Sequence, residues 1–262
     1  MGAEQVTVVG IGILLAFLIP IFVVNKMIGL SINKSMIISV VRMIVQLLLV
    51  GLYLQFLFKW NYSWLNVTYI IIMVLVSAFT ITGSCKLKRS KFLLLLSMGV
   101  GIPLFVLIFI LTGFVLKLDN VFDARYIITL SGMLLGNCMR SIIISFNTFY
   151  NSIRENEDTY LLYLSLGASR DQAVKPQIIN AMESALKPAI ASMMTIGLVS
   201  LPGMMTGQML GGSLPLTAIS YQIIIMVAIF ILQYTGIAVM LKIAANISFD
   251  SRDRLRKEIF LH

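Results

Sequence analysis

The chain has 262 residues, of which 59% are hydrophobic and only 12% charged, with a mean hydropathy of +0.96. A soluble domain of this size carries about twice that charged fraction, so a cytosolic enzyme, a disordered chain and a nucleic-acid-binding domain are excluded. The formal net charge of +9 comes from basic residues set between apolar runs rather than along one face, which points to a bilayer and away from nucleic acid. Two cysteines, Cys85 and Cys138, have no metal or disulfide spacing, and the lone histidine, His262, ends the sequence.

A helix needs about 20 apolar residues to cross the hydrocarbon core. In chain order, seven segments meet or approach this: 6–24, 37–58, 65–82, 92–116, 126–146, 189–211 and 216–243. The first does not read as a cleavable leader, because it has Glu4 before the apolar run and no basic start. The expectation is an all-α, polytopic membrane protein of about seven transmembrane helices, a single permease domain over 1–262. Placing the N-terminus outside puts fifteen Lys and Arg on the inner loops and three (Lys59, Lys117, Arg125) on the outer ones, with Arg42 and Arg140 inside spans. Basic residues favour the cytosolic side, so the C-terminus is expected in the cytosol, the protein lying in the inner (plasma) membrane.

The long inner loop, about 148–187, has a pattern of its own. Glu155 to Leu166 reads as a helix with acidic residues, among them Glu157, in its first turn. Gly167 suits a left-handed stop, Ala168 follows, and Ser169 with Gln172 has capping-box spacing for a second helix. Pro176 is expected to kink that helix or mark its boundary, and the element to end near Pro188. Leu161, Leu162, Leu164 and Leu166 would then face a partner, as in a coupling element seated on an ATPase. Equally, the pair could lie on the membrane with its leucines in lipid.

Pro202-Gly203, followed by Met204, Met205, Thr206 and Gln208, should interrupt the sixth span. Broken backbone at membrane depth survives only when buried in protein or lining a cavity, and such breaks often mark transport sites; the alternative is a packed structural kink. Arg42 and Gln46 share one face of the second span, and Asn137 and Arg140 one face of the fifth. They point to a bundle interior or water, or, for the arginines, to snorkelling. No carboxylate falls inside a confident span, which argues against proton coupling. Met204 and Met205 are weak metal-ligand candidates by their thioethers, set against methionine's ordinary use as apolar filler. No phosphate-binding loop occurs, so the chain is expected to hydrolyse no ATP, and an intramembrane enzyme lacks its residues.

The string Val199-Ser-Leu-Pro-Gly-Met-Met-Thr-Gly-Gln208 resembles the hallmark of the FetB-type iron-export permeases, a family that includes plant aluminium-tolerance permeases. Gly132-Met-Leu-Leu-Gly-Asn137, Leu164-Ser-Leu-Gly-Ala-Ser169, and Arg42 with Val45-Gln46-Leu47 are similar to that family too, and the likeness covers nearly the whole chain. The Leu-Gly-Ala segment also resembles the ATPase-docking loop of ABC importer-type permeases. The resemblance implies a permease homodimer paired with a separate cytosolic ABC ATPase that holds the ATP, this chain binding no cofactor itself. Its bacterial branch implies export of iron or another metal species, and its plant branch an anionic substrate such as a nucleotide sugar. Two membrane arginines and no membrane acid suit an anion better than bare Fe²⁺. The rival of another class is a non-transporting membrane subunit that transmits ATPase motion, although the outer loops are too short to form a large outer domain.

Overall fold

A computed structural model describes residues 7–250 together with 253, 255 and 256. The tail residues Arg252, Arg254 and Lys257, counted for orientation, and His262 lie outside the described residues. The elements are α1 (Val8–Ala16), α2 (Leu18–Ile28), α3 (Asn33–Trp60), α4 (Ser63–Ser84), α5 (Arg89–Phe109), α6 (Ala124–Glu155), α7 (Glu157–Ser165), α8 (Arg170–Thr195), α9 (Gly203–Leu210) and α10 (Pro215–Ile247). Among the described residues there is no strand beyond two isolated bridges. Hydroxyls within the apolar helices bond back to their own backbone, as in Thr80 to Val76 O and Thr112 to Ile108 O. That removes the cost of a bare polar group in hydrocarbon.

Six stretches are long and apolar enough to cross a membrane: Val9–Ile28, Asn33–Trp60, Ser63–Ser84, Phe92–Val115, Ala124–Glu155 and Pro215–Ile247. The first is α1 and α2 in near-continuity, offset at Phe17. The fourth ends in a π-helical turn, Ile110–Val115.

A seventh crossing is made in two pieces. Gln233 reaches Asn137 O, Cys138 reaches Leu232 O, and Tyr150 meets Ser248. Numbers therefore rise together along α6 and α10, and the two helices run parallel. The chain leaves α6 at one end and enters α10 at the other, so α8, the turn at 196–202 and α9 must return across the bundle between them. The expected span at 189–211 is thus not one helix: its first residues are the end of α8, and α9 has only eight residues.

Two boundary expectations are corrected. The helix expected from Glu155 to Leu166 is divided at Asn156, with α6 claiming Glu155 and α7 starting at Glu157. α8 neither ends at Pro176 nor near Pro188 but continues through both to Thr195. Each proline removes one helical hydrogen bond. The buried face of α8, with Ala173, Gln177, Ala181 and Ala185 held on the bundle, outweighs that local cost.

The core lies around α6, against which α4, α5, α8 and α10 pack. Small residues permit the close approach. A Cβ on Gly236 of α10 would lie 2.9 Å from Cys138 Sγ on α6, and one on Gly99 of α5 would collide with Met240 Sδ. By contrast, none of the apolar window of α3 is buried, whereas half that of α6 is. α3 joins the bundle only near its end, through Leu57 with Leu54 and Phe58, through the contact of Tyr53 with Tyr69 of α4, and through Asn61, which sits in the left-handed region at φ 45°. Asn61 Oδ1 accepts from Ala124 N (2.8 Å) and Asn66 Nδ2 (3.2 Å), and its Nδ2 donates to Asp123 Oδ2 (3.0 Å).

Candidate functional site

Two regions gather the residues singled out from the sequence. The first is the break. Ile196 N bonds Ser192 O, Leu198 N and Val199 N both reach Thr195 O, and Gly197, at φ 84°, donates to Ser200 O. The carbonyls of Ile196, Gly197, Leu198 and Val199 accept no hydrogen bond among the described residues. A regular helix would have consumed these groups, and in hydrocarbon each needs a partner.

Behind the break lies a cavity of about 360 Å³ lined by Asn137 from α6, Ala189 and Ser192 from α8, Ser200 to Met204 from the break, and Gln222, Ile225 and Gln233 from α10. A larger apolar groove adjoins it, about 490 Å³, lined by Met193 and Met205 and sharing Ile196, Leu201, Gln222 and Met226 with the cavity. Thr206 turns its hydroxyl back to Pro202 O, and Gln208 carries a buried, unpartnered Oε1. Pro202, Gly203 and Met204 therefore meet Asn137 at one cavity, while Met205 faces the neighbouring groove. Arg42 and Gln46 do not join them: both are exposed on α3, in a shallow groove with Ile37, Ile38, Val41 and Val45. Arg140, one turn beyond Asn137, is also exposed.

Gln222 and Gln233 were not singled out from the sequence. Both are buried, and the Oε1 of each has no partner. The signal was present. They lie eleven residues apart in an apolar helix, about three turns, so they share one face.

The second region is the turn between α7 and α8. Gly167 stands at φ 88°, and Ala168 N closes the turn on Tyr163 O. Ser169 and Gln172 form the full capping box. Glu157, Leu161, Leu162, Tyr163 and Leu166 are exposed, but Leu164 turns inward onto the core beside the buried Tyr160. Leu164 is thus a seat for α7 and not part of its outer face. A strap from beyond α10 fixes this seat. Tyr160 donates to Asp253 O (2.7 Å) and stacks on Phe249 (5.5 Å between centroids), and Arg170 lies 3.6 Å from the Asp253 carboxylate. Burial, and then the Asp253 charge, push the Tyr160 hydroxyl up to about 12, so it remains a donor at physiological pH.

Among the described residues no three His, Cys, Asp or Glu side chains come together as a metal site. The profile of the family described as "Uncharacterised protein family (UPF0014)" matches residues 8–249. The chain belongs to the UPF0014 family. It is a multi-pass membrane protein. It is 36% identical over 202 residues to Protein ALUMINUM SENSITIVE 3 of Arabidopsis thaliana, covering 76% of this chain and 71% of that one. Identity is 32% to the UPF0014 membrane protein YjkA of Bacillus subtilis, over 79% of this chain and 81% of the relative. It is 30% to the Probable iron export permease protein FetB of Escherichia coli, over 86% and 85%. No solved structure matches.

Proposed function

We propose that this UPF0014 chain is the permease subunit of an ABC transporter, working as a homodimer with a separate cytosolic ATPase that holds the ATP, and exporting iron or another metal species. The observation that carries the coupling role is the reach of α6 and α10. α6 has 32 residues, about 48 Å at 1.5 Å per residue. About 20 of them suffice to cross the hydrocarbon, leaving roughly the last ten to project past it. α7, hung from that projection and clamped by the strap, stands clear of the lipid. Its exposed Leu161, Leu162 and Leu166 then suit a protein groove better than a membrane surface. The relative named as a probable iron export permease supports the metal reading.

In inverted vesicles carrying this chain and its cognate ATPase, ATP should drive accumulation of radioactive iron, and chain or ATPase alone should drive none. Iron uptake indifferent to ATP would refute the proposal.

The basic-residue distribution supports an outer N-terminus and a cytosolic α7 turn. Both native cysteines are buried, so single exposed cysteines can report sidedness. Asp119→Cys should react with an impermeant maleimide in intact cells while Ser165→Cys is protected. The reverse pattern would put the turn on the wrong side for an ATPase.

A further inference from the structure

Below its outer end, α3 crosses the membrane almost alone. None of its apolar window is buried, and α3 with α8 or with α10 is not among the packed pairs of helices. Its outward face nevertheless carries Arg42 and Gln46, both exposed, beside Ile38, Val41 and Val45. Arg42 has no acidic partner, and Gln46 no hydrogen bond, among the described residues. Hydrocarbon offers an amide nothing to bond. An arginine can reach for the headgroups from such a depth; the shorter glutamine, one turn deeper, needs a protein partner.

A second surface has the matching lack. α8 and α10 form a groove of about 310 Å³ lined by Ile179, Glu183, Leu186, Ile190 and Tyr234. Tyr234 is exposed, and its hydroxyl bonds to nothing among the described residues. Lys187 holds Glu183 Oε2 and leaves Oε1 without a donor.

The two surfaces are in register. Asn61 bonds Asp123 and Ala124, so the outer ends of α3 and α6 share a level. Counted from there at about 1.5 Å per residue, Gln46 lies about 22 Å deep and Arg42 about 28 Å. Asn137, about 20 Å down α6, meets Gln233 of α10 and shares a cavity with Ala189 and Ser192 of α8. Tyr234 is therefore about 21 Å deep, and Glu183, about two turns nearer the cytosol than Ala189 and Ser192, about 30 Å. Hydroxyl matches amide, and carboxylate matches guanidinium, each within one helical turn.

We propose that these surfaces meet between two copies of the chain. α3 of each protomer lies in the α8/α10 groove of the other, Gln46 bonding the partner's Tyr234 and Arg42 pairing with the partner's Glu183. A two-fold axis along the membrane normal makes the contact twice and closes the dimer. A lipid phosphate would satisfy Arg42 but leave Gln46 and Tyr234 bare. That two copies pair rests on the permease reading; which surfaces they use does not.

The test is disulfide trapping in membranes between two full-length copies with different tags, each carrying one new cysteine. Cys85 and Cys138 are buried and stay silent. With copper phenanthroline, Gln46→Cys in one copy with Tyr234→Cys in the other, or Val45→Cys with Ile190→Cys, should give a dimer bearing both tags. Leu47→Cys, on the opposite face of α3, should give none with Tyr234→Cys. Arg42→Glu should lower the dimer fraction in nanodiscs at least fivefold, and Arg42→Glu with Glu183→Arg should restore it. The contact is overturned if neither pair is trapped, or if a chain carrying both cysteines closes only on itself. It is equally overturned if Arg42→Glu pairs like the parent or its loss is not rescued, the result expected of an arginine held by lipid. A dimer by mass that escapes trapping would leave the homodimer standing on other surfaces, whereas a monomeric parent would count against the permease reading itself.

Discussion

Gly167→Val is expected to cut ATP-driven transport at least tenfold while the protein still inserts and folds. Gly167 stands at φ 88°, with nothing within 4 Å of an added Cβ, so the cost is conformational. A left-handed backbone costs an ordinary residue about 1–2 kcal/mol and a β-branched one more. The turn relieves that strain by opening, which carries the exposed Leu166 away from its place between α7 and α8. About 1.4 kcal/mol lost from docking is already a factor of ten. The fold should survive, because α7 keeps Tyr160 and Leu164 on the core and α8 keeps its capping box. Leu166→Glu, which leaves the turn intact, should lower ATPase association in a pull-down to a similar extent. Tyr160→Phe keeps the ring against Phe249 but loses the hydrogen bond to Asp253 O. Its effect should appear as weaker coupling, ATP hydrolysed without flux, more than as lost association. Parental flux and parental ATPase capture by Gly167→Val would rule out a docking role for this turn.

Asn61→Val should be the most destabilising single change outside the core. Asn tolerates the left-handed region that valine avoids. The amide also makes three hydrogen bonds joining the end of α3 to the starts of α4 and α6. At about 1 kcal/mol for each bond and about 1–2 kcal/mol for the backbone, the loss is roughly 4–5 kcal/mol. For a chain of this size that corresponds to roughly a 10 °C fall in melting temperature, measured in detergent by tryptophan fluorescence. Asn61→Gly keeps the backbone and loses the bonds, so it should fall between the two. A melting point within about 2 °C of the parent for Asn61→Val would show that α3 is held by other means.

Much of this architecture is legible in the residues. Apolar run length locates the membrane helices because hydrocarbon leaves the backbone no other partner. Pro202-Gly203 announces the break, and the Gly167 and Ser169 chemistry announces the second turn, because these are local conformational demands. The placement of side chains is less legible. Arg42 and Gln46 share a helical face, as periodicity requires, yet α3 carries that face away from the cavity. Leu164 belongs to the same leucine run as Leu162 and Leu166, yet its direction is set by where α7 lies on the bundle.

By itself the sequence determined the all-α membrane class, the helix-forming runs, the break near Pro202 and the left-handed turn at Gly167, since each follows from hydropathy or from a residue's own backbone limits. Only the tertiary structure decided that α8 runs unbroken through Pro176 and Pro188, that Gln222 and Gln233 meet Asn137 and the start of α9 in one cavity, and that Asp253 and Phe249 clamp Tyr160. Those outcomes depend on packing between segments tens of residues apart. There, burial against a neighbouring helix outweighs the single hydrogen bond a proline removes, and helix–helix geometry selects which polar groups share a space.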